Sequence, residues 1–323
     1  LALTPGVHVA GAAGPATYLM VSATDHAAVI NGHRFPNEAY ELIPVKSDGE
    51  LDLVWLKKRL TSLHDAGETV LVSVMLANNE TGIIQPIRTI SDLVHDVQGI
   101  MHTDAVQAAG KIELNMAGLG ADLLTLSGHK IGAPQGVGAL VVRGDLIALP
   151  RLIGGGGQER RRRAGTENLP GIAGFGEAAR VVITRLEEAH DLSTLRQQLE
   201  RGLLDISPEV TIFGSNKERL GNTTYFAIGN FPAETVVIAF DLAGIAVSSG
   251  SACSSGKVAP SHVLTAMGVD EGLAACAIRV SLGRDTTTNE VDRFLEVWSD
   301  SYAKFSAGTD RKETSKNDSD RAA

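Results

Sequence analysis

The chain has 323 residues, 43% of them apolar and 21% charged, an ordinary globular composition with room for a large domain and a smaller one. Its 29 Lys and Arg stand against 38 Asp and Glu, and the formal net charge of −9 argues against nucleic acid as a main partner. No apolar stretch is long enough to span a bilayer, no secretory signal is visible, and two cysteines make no disulfide framework, so no membrane partner is expected and a reducing cytoplasm is.

Taken in order, short apolar runs at 17–23, 68–76, 98–105, 121–127 and 136–142 read as strands ending in polar or small residues. Helical patterns at 51–66 and 87–97 lie between them. The alternation predicts an α/β fold with a mainly parallel sheet and helices on both faces, ligands gathering beyond the carboxyl ends of its strands. Residues 170–206 read as one long helix. From 207 to 305, short strands ("VTIFG", "NTTYFAIG", "IAVSSG", "AIRVSLG") mix with helices at 233–244 and 288–305, an α+β pattern. The tail from 307 to 323 has almost no apolar content and is expected to be disordered. The expected domains are therefore 1–175, large and cofactor-binding; 176–306, a connector helix and a small C-terminal domain; and the tail 307–323.

The strand ends carry the chemistry. "SATDH" brings His26; "ANNETG" brings Asn78, Asn79 and Glu80; "HTDAVQ" brings Asp104 and Gln107; "LSGHK" brings Ser127, His129 and Lys130. Taken singly each is a common cap or loop residue. Together they match the demands of pyridoxal 5'-phosphate: a lysine for the Schiff base, an acid beside the pyridine nitrogen and donors for the phosphate. Lys130 supplies the amine, Asp104 the acid, Gln107 a contact to the ring oxygen, and Ser127 and His129 the phosphate donors, with His26 flat on the ring. Metal binding is the competing use of His26, His102 and Asp104, but no Cys/His pairing has zinc spacing, and no metal is expected.

In one order, "NNETG", "HTDAVQ", "SGHK", "GGGGQERRRRAGTEN", "SSGSACSSG" and "IRVSLGR" resemble the class V aminotransferases, specifically the cysteine desulfurases of iron–sulfur cluster assembly. The resemblance runs to about residue 300. It implies a fold-type I pyridoxal-phosphate transferase with Lys130 as Schiff-base lysine; Asp104, Gln107 and Asn79 on the ring; and Ser127 and His129 on the phosphate. Thr166 of "AGTEN" would reach the phosphate of the partner subunit in a homodimer.

Cys253 lies among small residues, "SSGSACSSGKV", without apolar anchors, whereas Cys276 sits in the apolar "LAACAIRV". Cys253 therefore takes the reactive reading and Cys276 the structural one. With the resemblance, Cys253 becomes the acceptor of substrate sulfur and His26 a proton carrier. Arg279 of "IRVSLGR" becomes the bidentate clamp on the substrate carboxylate. L-cysteine would yield L-alanine and a Cys253 persulfide. The persulfide would pass to a sulfur-acceptor protein such as an iron–sulfur scaffold; other acceptor systems stay open. The run Arg160 to Arg163 reads either as a solvated basic loop or as an interface segment positioning Thr166, and the glycines 154–157 favour the interface.

The opening "LAL" resembles the segment just after a Gly- and Thr-containing turn that cradles phosphate in the family. The expectation is thus a chain lacking that segment, weak in cofactor binding and activity on its own. Three alternatives stay open: another class V aminotransferase, a selenocysteine lyase, and a non-catalytic dimerising fragment.

Overall fold

The computed structural model of the chain describes residues 1–144, 146–187, 192–250 and 261–321. Two compact units emerge. The first comprises Leu1–Asn79, Ile83–Ala189 and Asn216–Leu220; the second comprises Glu80–Gly82, His190–Ser215 and Gly221–Ala323.

The first unit is built on strands β1 (Tyr18–Ser22), β2 (Tyr40–Ile43), β3 (Val70–Met75), β4 (Ile100–Asp104), β5 (Leu123–Ser127) and β6 (Gly138–Val142). Their order is β2-β1-β3-β4-β5-β6, parallel throughout except for the β5–β6 pair. All six residues of β3, "VLVSVM", are buried, as befits a central parallel strand covered on both faces. Successive side chains alternate between two cores. Met20, Val72, Met101 and Leu124 join one, while Leu19, Leu71, Ile100 and Leu123 join the other. This is the expected α/β architecture. Strand β2 has no counterpart among the expected strands: only Ile43 of its "YELI" is buried, as suits an edge.

Helices α1 (Ala27–Ile30), α2 (Leu53–Asp65) and α3 (Ile87–Asp96) follow β1, β2 and β3. In α2, Leu56, Leu60 and Leu63 recur at helical spacing and face the core. Asp52 starts it by accepting the Val54 and Trp55 N–H groups, each at 3.0 Å. In α3, Ile87, Ile90 and Val94 do the same work. Within the span 170–206 expected to be helical lie α4 (Leu169–Glu187) and α5 (Leu192–Ile206). Position 175, the expected domain boundary, falls inside α4.

The second unit has a four-stranded antiparallel sheet of β7 (Thr211–Ile212), β8 (Thr223–Ala227), β9 (Ser248–Ser249) and β10 (Ile278–Ser281), in the order β9-β10-β8-β7. Helices α5, α6 (Ala233–Leu242) and α8 (Thr288–Arg321) supply its core with Leu199, Leu203, Phe240, Phe294 and Trp298 against Phe226 and Ile278. The short α7 is His262–Ala266. Trp298 donates its buried indole N–H to Ser207 at 2.9 Å. Helix α8 runs on to Arg321, through most of the tail for which composition predicts disorder. Scarce apolar content denies a segment a core, not a helix.

Candidate active site

Because β1, β3, β4 and β5 are parallel, their carboxyl ends share one edge of the first unit's sheet. That edge carries His26, Asn79, Asp104, Gln107, Ser127, His129 and Lys130, seven of the residues expected to form the site.

Beyond β5 the chain tightens into a single turn, Gly128–Ile131, ended by Gly132 at φ 91°. Glycine is required at 128: a Cβ there would lie 2.9 Å from the Val137 side chain and 3.0 Å from its carbonyl oxygen. The turn presents His129 and Lys130 to solvent, with Ser127 half-buried behind them. Ser127 Oγ and His129 Nδ1 share a hydrogen bond of 2.9 Å. Lys130 makes no side-chain hydrogen bond or ion pair among the described residues, so its amine is unencumbered.

Asp104 closes β4 and is nearly buried, with Oδ1 accepting the Val106 N–H at 2.9 Å. Burial pushes its pKa up, against that backbone bond and the attraction of His26. A protonated pyridine nitrogen beside it would favour its carboxylate form. His26 caps α1, its Nδ1 accepting the Ala28 N–H at 3.1 Å. A nitrogen that accepts carries no proton, so in the neutral ring the exchangeable proton is on Nε2. Gln107 accepts from Lys111 Nζ through Oε1 at 2.8 Å, which leaves its amide group as the donor end.

Beneath this edge lies a buried polar chain that motif reading missed. Asp25 accepts the Met75 N–H at 2.7 Å and faces Ser73 Oγ at 3.4 Å; Ser73 Oγ pairs with His102 Nδ1 at 2.8 Å. The chain thus ties together the ends of β1, β3 and β4, the strands that carry His26, Asn79 and Asp104. Burial holds Asp25 well above the usual carboxylate range and pushes His102 down to about 3. The signal for it was an acid and a histidine set within otherwise apolar strand ends. His102 is a packed neutral histidine here, its Nδ1 paired with Ser73 Oγ.

The remaining expected residues lie elsewhere. Thr166 is exposed in the first unit, just after a bend in which Glu159, Arg160 and Arg161 all take positive φ. Three consecutive non-glycine residues in that region store strain, and the glycine-rich run ahead of them does not relieve it. Arg279 belongs to the second unit, on β10, and reaches Ser248 Oγ at 3.4 Å. Cys253 lies outside the described residues. Cys276 is buried, and burial pushes its thiol pKa up, which suits a structural cysteine.

The aminotransferase class-V family matches residues 8–294. Among curated relatives, cysteine desulfurase 2 of Trichormus variabilis is 42% identical over 283 residues, covering 87% of this chain and 70% of its own. Cysteine desulfurase IscS of Methanosarcina thermophila is 39% identical, covering 87% and 69%. Among solved structures, a NifS-like protein from Rickettsia africae superimposes with a TM-score of 0.78 at 36% identity, over 89% of this chain and 76% of that one. DndA from Streptomyces lividans follows with a TM-score of 0.66 at 30% identity, covering 82% and 74%.

Proposed function

The chain belongs to the aminotransferase class-V family, and from that premise we propose that it is a pyridoxal-phosphate-dependent cysteine desulfurase. It takes L-cysteine to L-alanine and carries the released sulfur on Cys253. The observation that carries the reading is the strand-end set: a free lysine amine, a buried acid, and a Ser–His pair on one sheet edge. Those groups fit pyridoxal phosphate. When bound, the cofactor supplies a carbonyl carbon for covalent attachment of an amine and a ring that accepts the electrons of the substrate Cα–H bond.

The chain's residues then divide the work. Lys130 would hold the cofactor through its amine and, once free, would take the substrate Cα proton. Asp104 would pair with the ring nitrogen, whose charge would relieve the burial cost of its carboxylate. Ser127 and His129 hold the phosphate, Asn79 and Gln107 touch the ring, and His26 moves protons through Nε2. Arg279 grips the substrate carboxylate with its planar fork. The Cys253 thiolate attacks the substrate sulfur; an S–S bond forms as the C–S bond breaks. The carbon takes the electron pair and a proton, and alanine leaves.

The finer assignments follow from the same reading. The enzyme works as a homodimer in which Thr166 serves the partner's phosphate. Ile147, Ile153, Leu169 and Ile172 support this, since they leave large apolar side chains exposed around Thr166 in the sequence, Leu169 to 71%. Cytoplasmic location and an iron–sulfur scaffold as sulfur acceptor fit a persulfide that must stay reduced. No described helix is long and apolar enough to cross a membrane.

The deciding experiment compares Cys253→Ala with Cys276→Ala, each measured for cofactor absorbance, alanine formation and sulfide release. Cys253→Ala keeps the cofactor and loses sulfur release. Cys276→Ala keeps both and loses only stability. Equal loss of turnover in the two variants contradicts the assignment.

A further inference from the structure

Around Arg279 stands one buried group with no part yet in the reaction, Glu80. Ser248 of β9 and Tyr225 of β8 each lie directly opposite Arg279 on β10, so the three make a row across the sheet. Ile278 and Val280 belong to the unit's apolar core, so the row lies on the opposite face. Glu80 covers that face and is only 6% exposed. Its carboxylate accepts the Ser261 hydroxyl and feels the attraction of His262 and Arg279, and the buried Tyr225 phenol stands beside it. Ser261 Oγ also accepts the Leu264 N–H at 3.1 Å and so caps α7. Gly250, ahead of residues 251–260, is held by its N–H to the Ala277 carbonyl at 3.1 Å. It lies so close to Tyr225 that a Cβ would fall on the phenol oxygen. Gly250 and Ser261, on either side of the segment that contains Cys253, are therefore both seated on the Glu80–Tyr225 pair.

Burying a carboxylate this thoroughly is unfavourable unless donors and a cation answer it. The Ser261 hydroxyl donates to it here, and the charge of the Arg279 guanidinium favours its ionised form. An unrestrained arginine samples many rotamers, and a bidentate clamp works only in one orientation. We propose that Glu80 is a positioning residue: it orients the Arg279 guanidinium for the substrate carboxylate and fixes the chain at Ser261. The proposal rests on the reading of Arg279 as that clamp.

The test uses the full chain loaded with pyridoxal phosphate, in the variants Glu80→Gln, Glu80→Asp, Arg279→Lys and Glu80→Gln/Arg279→Lys. Alanine formation gives kcat and KM for L-cysteine. Spectroscopic titration with L-alanine gives an equilibrium affinity independent of turnover. Glu80→Gln raises KM and weakens L-alanine binding by roughly tenfold, the loss expected when one charge-assisted contact is mis-set, with kcat changed far less. Glu80→Asp recovers part of the affinity, and the double variant is no weaker than Arg279→Lys alone. If Arg279→Lys weakens binding but Glu80→Gln does not, or lowers only the thermal midpoint, the proposal is overturned while the clamp stands. If Arg279→Lys leaves both affinities unchanged, the clamp falls and the proposal with it. Should Glu80→Gln not fold, Ser261→Ala removes the hydroxyl donor to the same carboxylate; an unchanged KM there also overturns the proposal.

Discussion

Lys130 is the residue on which the chemistry turns. Borohydride reduction of the loaded protein should fix the cofactor to the peptide containing Lys130, and Lys130→Ala should lose the visible cofactor band. A variant that keeps the band at the same wavelength would assign the attachment to another amine. The strand-end residues were legible because a polar cluster at the end of an apolar run has no packing use. Asp25, Ser73 and His102 were not, because buried polar groups sit inside the same runs and are distinguished only by the partners that β-sheet pairing brings them. Glu80 was visible in "NNETG", but its companions Tyr225 and Ser261 are 145 and 181 residues away, a separation no local pattern spans. Arg279 was legible as an aimed side chain, and its register opposite Tyr225 and Ser248 had to come from the sheet.

At the scale of elements, the turn after β5 is the most sensitive. Gly128→Ala forces a Cβ against Val137 and shifts Ser127, His129 and Lys130 together. The variant is expected to lose about 1–3 kcal/mol in thermal or denaturant unfolding and to bind pyridoxal phosphate less tightly. Equilibrium titration of the cofactor checks it, and wild-type affinity would show that the turn tolerates the methyl group. Asp52→Ala, by contrast, removes only the cap of α2 and should cost about 1 kcal/mol with cofactor affinity unchanged. Strands β1, β3, β4 and β5 could be read from the sequence because they are buried runs bounded by polar residues. The edge strand β2 could not, since it is held by backbone pairing to β1 and buries one side chain. The tail illustrates the converse limit: composition reports whether a segment can bury surface, and helix propensity is a separate property.

For the whole molecule, buried ionisable groups set how stability follows pH. His102 ionises near 6.5 when unfolded and near 3 when folded. Between those values the unfolded chain binds the proton and the folded one does not, so stability falls as pH drops from 6.5 toward 3, by up to about 1.4 kcal/mol per pH unit. Asp25 and Asp104 act in the other direction: their raised values mean that the unfolded chain ionises first as pH rises above 3.8. Thermal midpoints of wild type and His102→Gln across pH 3 to 7 isolate the histidine. The wild type should show the steeper acid loss, and parallel curves would mean that His102 is protonated in the folded protein. The strand order has a further consequence, for biosynthesis. Each strand of the first unit pairs with one already made, so the sheet can grow outward in step with the ribosome and is complete at Val142. Its core is not complete at that point. Leu220 packs among Leu56, Ile87 and the other aliphatic side chains of that core, and Lys217 pairs with Asp48 and Glu50, made about 170 residues earlier. The nascent first unit must therefore wait, with an open place in its core, until a strap borrowed from the far side of α5 has been synthesised.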